Sequence, residues 1–254
     1  MICLSAEETR TYTEVSDFIY INGNDCDKSN GLLSSGTNYL NSTKVINRFI
    51  SKMSDLNDYS KAEMHKNQEA ATLKMKSYTW NFDIVPCFYA KENFYLIPDG
   101  SGNWKKTDPR IDNDRTTKLN QKHNGKLLNL IRLVKYWNKR KVTITINSYL
   151  LECMILNIYD NIDTEDSWSI GIEFKNTLYK LSKAIRNDVE DYKGIQGNIN
   201  RFDLADREKI SNALYETYKK TVEAQNYEKD KKQKEAINKW REVLGSNFPQ
   251  YTEQ

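Results

Sequence analysis

Residues 78–100 read YTWNFDIVPCFYAKENFYLIPDG, and the fold turns on how this stretch is read. Trp80, Phe82, Ile84 and Pro86 alternate with Thr79, Asn81, Asp83 and Val85, close to the period of two that a strand requires. The polar triplet Lys91-Glu92-Asn93 then turns the chain into a second run, FYLIP, so the spacing predicts a two-stranded hairpin. Asp83 falls inside an apolar and aromatic run, where an ionised carboxylate is costly unless a cation meets it. It is either a strand carboxylate facing water or a metal-binding carboxylate on the floor of a cleft. The residue alone does not separate the two.

Upstream, MICL (residues 1–4) is apolar from the first residue and reads as the end of a buried strand whose beginning is missing. VSDFIYI (15–21) reads as a short strand, and NGNDCDKSNGLLSSGTN (22–38) has the Asn, Gly, Ser and Asp content of a loop. Asn41-Ser42 caps a helix in which Val45, Ile46, Phe49, Ile50 and Met53 recur at helical spacing. A second helix is expected from about Ser60 to about Glu69, followed by a strand over residues 70–76 that leads into the hairpin.

Downstream, residues 99–115 are turn-rich, and Pro109 argues against an early helix. One helix is expected from about Asp114 to Arg140. Leu119, Leu127, Leu130, Ile131, Val134 and Trp137 form its apolar face, with Lys126, Arg132, Lys135, Lys139 and Arg140 spread around it. Residues 142–146 are short and β-branched. Asn147 or Ser148 caps SYLLECMILNIY (148–159), a nearly all-apolar helix that must be buried. An acidic loop (160–169), a helix over about 173–189, a turn at KGIQGNIN (193–200) and one or two charged helices over 210–240 complete the chain. The fold class is therefore α+β, mixed in the first half and helical in the second.

The 254 residues suffice for one large domain or two small ones. A net charge of +3 does not point to a nucleic-acid partner, although a nucleotide-sized anion needs only a local basic site. Cys3, Cys26, Cys87 and Cys153 are scattered, and only two histidines are present, which argues against a zinc site and for reduced thiols. No apolar run approaches the length of a membrane span, and the expected location is the cytoplasm.

Four pieces occur in order: D-x-V-P from Asp83 to Pro86, YLIPDGSGNWKKTDP (95–109), LIRLVKYWN (130–138) and SYLLE (148–152). In this order and spacing they resemble the cGAS/DncV-like nucleotidyltransferases, bacterial cousins of cyclic GMP–AMP synthase found in anti-phage (CBASS) signalling. The resemblance implies a polymerase-β-like nucleotidyltransferase sheet over residues 1–110 and a helical domain over 111–254 that closes the nucleotide cleft. It implies synthesis of a cyclic or linear oligonucleotide from ATP and other nucleoside triphosphates, with Mg2+ and release of pyrophosphate. It further implies that Asp83 is the third catalytic carboxylate and a magnesium ligand. Lys135 then contacts the triphosphate, and Ser148 receives phosphate oxygens at a helix N-terminus. Read without the family, Lys135 is equally a solvated helix lysine, Ser148 only a cap, and Trp137 and Tyr149 core residues. Glu152, inside an apolar helix, calls for a Lys or Arg partner from the long basic helix.

The family's Gly-Ser turn and Asp-x-Asp strand belong upstream of the third carboxylate, directly before a segment such as MICL. Asp25-Cys26-Asp27 is formally an Asp-x-Asp but lies in loop sequence, Ser34-Ser35-Gly36-Thr37 follows no carboxylate pair, and Asp17 has no companion. The expectation is an N-terminally incomplete sheet, weak or no activity of the chain by itself, and a protein partner at the open sheet edge. The competing reading is a non-catalytic nucleotide-binding relative serving as a regulatory or partner subunit. A nucleic-acid-tailing transferase would prefer a more basic surface.

Overall fold

Proline has no amide hydrogen to give to a sheet ladder, and Pro86 divides the central alternating run between two sheets. The computed structural model describes residues 2–4, 10–16, 18–59, 62–76, 80–90, 92–140, 142–163 and 168–252. The first unit, Met1–Asp108, holds β1 (Ile2–Cys3), β2 (Tyr12–Val15), β3 (Phe18–Ile21), α1 (Asp25–Ser29) and α2 (Ser42–Ser54). It continues with β4 (Glu63–Asn67), β5 (Ala70–Lys74), β6 (Asn81–Ile84), β7 (Pro86–Tyr89), β8 (Tyr95–Pro98) and β9 (Trp104–Thr107). The strands make a six-stranded sheet in the order β1-β7-β8-β9-β3-β2 and a three-stranded sheet in the order β4-β5-β6. The expected hairpin is thus β7 with β8, in register Phe88↔Leu96 and Tyr89↔Tyr95, while the Asp83 half of the run belongs to the other sheet. Of the turn triplet, Lys91 lies outside the described residues and Asn93 takes a left-handed backbone (φ 66°).

Residues 2 and 3 do form a strand, parallel to β7 with Ile2 opposite Pro86, and β1 is an outer strand among the described residues. The run 15–21 is the end of one strand and all of the next: Ser16, at φ 55°, turns β2 back on β3. The loop after it contains α1. Of the helix expected over 60–69, residues 60 and 61 lie outside the described residues, and Glu63–Asn67 is instead β4. Exposed Glu63, His65 and Asn67 alternate with half-buried Met64 and Lys66, and Gln68 (φ 50°) closes an antiparallel hairpin onto β5. Ile19, Ile21, Leu40, Val45, Phe88, Leu96 and Trp104 form the core of this unit, and Trp104 Nε1 donates to the Leu40 carbonyl at 2.8 Å.

In the second unit, Pro109–Gln254, every regular element among the described residues is helical. These are α3 (Pro109–Lys122), α4 (Leu127–Lys139), α5 (Ser148–Asp160), α6 (Ile170–Ala184), α7 (Leu204–Lys229) and α8 (Gln233–Leu244). Pro109 opens α3 rather than delaying it, since the first helical position has no use for an amide hydrogen. The single helix expected from 114 to 140 is two, because Asn124 (φ 53°) and Gly125 (φ 76°) leave helical geometry. Residues 142–146 form no strand among the described residues. In its place the Asn138 carboxamide grips Ile146, donating to its carbonyl (2.7 Å) and accepting from its amide (2.9 Å). Buried α5 residues Leu151, Met154, Ile155 and Leu156 pack with Trp137, Phe174, Leu178 and Leu214 in one helical core. Among the described residues no helix is long and apolar enough to cross a membrane.

Candidate functional site

Asp83 stands on β6 directly opposite Thr72 of β5, which is itself opposite His65 of β4. The buried Thr72 hydroxyl donates to Asp83 Oδ1 at 2.6 Å, while the Asp83 side chain reaches solvent. Trp80 and Phe82 are exposed too, so the β6 part of the run that reads as apolar in sequence lies at the surface, and the desolvation penalty expected for Asp83 does not arise. One carboxylate oxygen is thereby held by a neutral donor and the other is left for a second ligand. The alternative Asp-x-Asp is structural: Asp27 closes the capping box of α1 with Asn24 and pairs with Arg10 at 2.9 Å. Asp17 lies outside the described residues. Among the described residues no three His, Cys, Asp or Glu side chains group as a metal site.

In the helical unit, Lys135 and Ser148 come to neighbouring places. Ser148 is the first residue of α5 and is exposed, and Asn147 is the cap. The Asn147 side chain accepts from the amides of Tyr149 (2.8 Å) and Leu150 (3.4 Å), which leaves the Ser148 hydroxyl and amide for an incoming anion. Glu152 lies one turn further along the face that carries Ser148, and its Oε2 pairs with Lys135 Nζ from α4. The partner that Glu152 calls for is therefore Lys135 itself, a half-buried ion pair rather than a solvated lysine. Lys139 follows Lys135 one turn along α4. With Asn147, Ser148, Arg201 and Phe202 it lines a cleft of about 580 Å³. Arg201 carries no signal in the sequence, because the loop that delivers it is placed by tertiary contacts.

Tyr149 is partly buried, as a core residue should be, but its hydroxyl enters a polar network. It donates to Asp191 Oδ1 at 2.5 Å, with Asp112 Oδ1 at 3.0 Å, and accepts from Lys193 Nζ. Lys193 also reaches Asp112 at 2.9 Å and Asp191 at 3.1 Å. The Lys193 and Asp191 side chains are 1% and 0% exposed. Burial pushes the Asp191 carboxyl up, yet hydrogen bonds from Tyr149 and Lys193 outweigh it and hold the group below the usual carboxylate range. Burial and the bond to Asp191 push the Tyr149 phenol far above its ordinary value, so it remains a donor.

A probable cyclic nucleotide synthase of Bacillus cereus (strain VD146) is 42% identical over 259 aligned residues, covering 99% of this chain and 76% of the relative. The chain belongs to the cGAS/DncV-like nucleotidyltransferases. No family model matches it. Among solved structures, this nucleotidyltransferase is similar to CdnC of E. coli MS115-1 with ATP. The TM-score is 0.65 at 15% identity, over 91% of this chain and 77% of that one. It is also similar to the DncV cyclic AMP-GMP synthase of Vibrio cholerae, described as a prokaryotic cGAS homolog. There the TM-score is 0.64 at 15% identity, over 83% of this chain and 60% of that one. The two structural likenesses carry the nucleotidyltransferase fold.

Proposed function

We propose that this nucleotidyltransferase joins nucleoside triphosphates, ATP among them, into a cyclic oligonucleotide messenger of anti-phage defence. The observation that carries the reading is the 42% identity, over nearly the whole chain, to a probable cyclic nucleotide synthase. In each step a ribose hydroxyl bonds to an α-phosphorus, the bond to the bridging oxygen of the β-phosphate breaks, and pyrophosphate leaves.

Magnesium commonly takes one or two protein carboxylates and completes its shell with substrate phosphates and water, so one carboxylate such as Asp83 is compatible with it. Asp83 would be such a ligand, with Thr72 fixing one carboxylate oxygen. Bound magnesium would supply charge neutralisation at the phosphates. Lys135 gives one of its three ammonium hydrogens to Glu152 and keeps two for phosphate oxygens, with Glu152 as the group that aims it. Ser148 would offer a hydroxyl and an amide to a phosphate at the positive end of α5.

The test is incubation with ATP, alone and with the other triphosphates, in the presence of Mg2+, reading pyrophosphate release and nuclease-resistant product by chromatography. Cyclic product that disappears in Asp83→Asn supports the reading. Tight triphosphate binding with no pyrophosphate under any mixture would overturn synthesis and favour a nucleotide-binding subunit.

A further inference from the structure

The polar network around Tyr149 has a use beyond holding helices together. Three segments converge in it: Asp112 from the first turn of α3, Tyr149 from the first turn of α5, and Asp191 and Lys193 from the loop between α6 and α7. The Lys193 ammonium donates to Asp112 and to the Tyr149 hydroxyl and forms an ion pair with Asp191 at 3.1 Å. Asp191 Oδ2 accepts from the amides of Ile195 (3.2 Å) and Gln196 (3.1 Å), so this carboxylate is fully engaged. Buried ion pairs add little net stability compared with well-packed apolar groups, and what they do supply is a single allowed geometry. Apolar side chains in place of the whole network would fill this space without fixing an angle.

The geometry so fixed is that of Ser148. On its N-terminal side, Asn138 holds both backbone groups of Ile146, and Asn147 is pinned as the cap. On its C-terminal side, the Tyr149 hydroxyl is tied to Lys193 and Asp191. Ser148 is thus an exposed residue between immobilised neighbours, the arrangement a preorganised anion contact needs. We propose that Lys193 and Asp191, acting through the Tyr149 hydroxyl, are positioning residues that hold Ser148 and the first turn of α5 in the orientation that receives a triphosphate. The inference rests on the reading of Ser148 given above.

The test is a double-mutant cycle on triphosphate affinity by calorimetry, using the full chain with ATP and, separately, adenosine. Tyr149→Phe keeps the ring and removes the hydroxyl. It is expected to weaken ATP binding about tenfold, or ~1.4 kcal/mol, and to leave adenosine binding unchanged. In the Ser148→Ala background the same change is expected to cost nothing further, because the network acts through that serine. Lys193→Met is expected to follow Tyr149→Phe in ATP affinity; should it fail to fold, the tyrosine cycle decides alone. Equal ATP affinity in Tyr149→Phe, or losses that simply add with Ser148→Ala, would overturn the positioning role while leaving the function standing. No ATP binding by the unaltered protein, or no effect of Ser148→Ala, would overturn the reading of Ser148 and this inference with it.

Discussion

Replacing Lys193 by methionine preserves length and bulk while deleting one buried positive charge. In the folded protein that charge faces Asp191, 0% exposed, and Asp112, 31% exposed. Asp112 recovers hydration once the ammonium is gone, but Asp191 cannot, and it keeps the Tyr149 hydroxyl and the backbone amides of residues 193, 195 and 196. Breaking a buried pair in this way costs about 3 kcal/mol or more, because an uncompensated charge stays behind. For a chain of this size that lowers the thermal midpoint by roughly 6–12 °C. Far-UV circular dichroism at pH 7 reads it directly, since the network lies wholly in the helical unit. Lowering the pH should shrink the deficit, because the stranded Asp191 takes up a proton in the folded state. Lys193→Met/Asp191→Asn should recover part of the loss for the same reason. A midpoint within a degree of the unaltered protein, or a double variant whose losses add, would refute the account of a charge held in place by its partners.

Three further outcomes follow from the same physics. In the unaltered protein the Asp191 carboxyl is depressed on folding; its contribution is complete above the ordinary carboxylate pKa of 3.8 and is lost as pH falls through the lower folded value. Acid titration of stability should therefore be flatter for Asp191→Asn below about pH 4 than for the unaltered chain. Asn138→Ala strips both partners from the buried backbone of Ile146 and should destabilise by about 2–3 kcal/mol in urea melts. Gly125→Ala forces a side chain into a backbone at φ 76° and should cost about 1 kcal/mol, although a Cβ there would meet nothing within 4 Å.

The helices were the legible part of this chain, and the strands less so. Helix α2 and the buried helix α5 follow from capping asparagines and apolar spacing, both local signals. The segment from Glu63 to Asn67 carries residues equally at home in a helix, and it became a strand because β5 lies beside it, a fact no window of sequence contains. The break between α3 and α4 was written in Asn124-Gly125, but the apolar periodicity runs on across it and hides it. At the site, Glu152 announced its need of a cation by standing in an apolar helix, and Lys135 answers it. Arg201, Asp191 and Lys193 announced nothing. They sit in a glycine-rich turn whose purpose appears only when α3 and α5 are brought against it.

Pro86 also separates two regimes of motion. The strands on its C-terminal side have their side chains largely inside, with Pro86, Cys87 and Phe88 all buried. The strand on its other side exposes Asn81, Phe82 and Asp83 and, among the described residues, pairs in its sheet with β5. Few buried apolar contacts mean a low free energy of local opening, so amides of β4 and β6 should exchange with solvent deuterium well before those of β7 and β8. Asp83 then rides on the side of Pro86 that opens more easily. A ligand that gathers its carboxylate would slow that breathing, and protection spreading through β4, β5 and β6 would be its earliest visible trace.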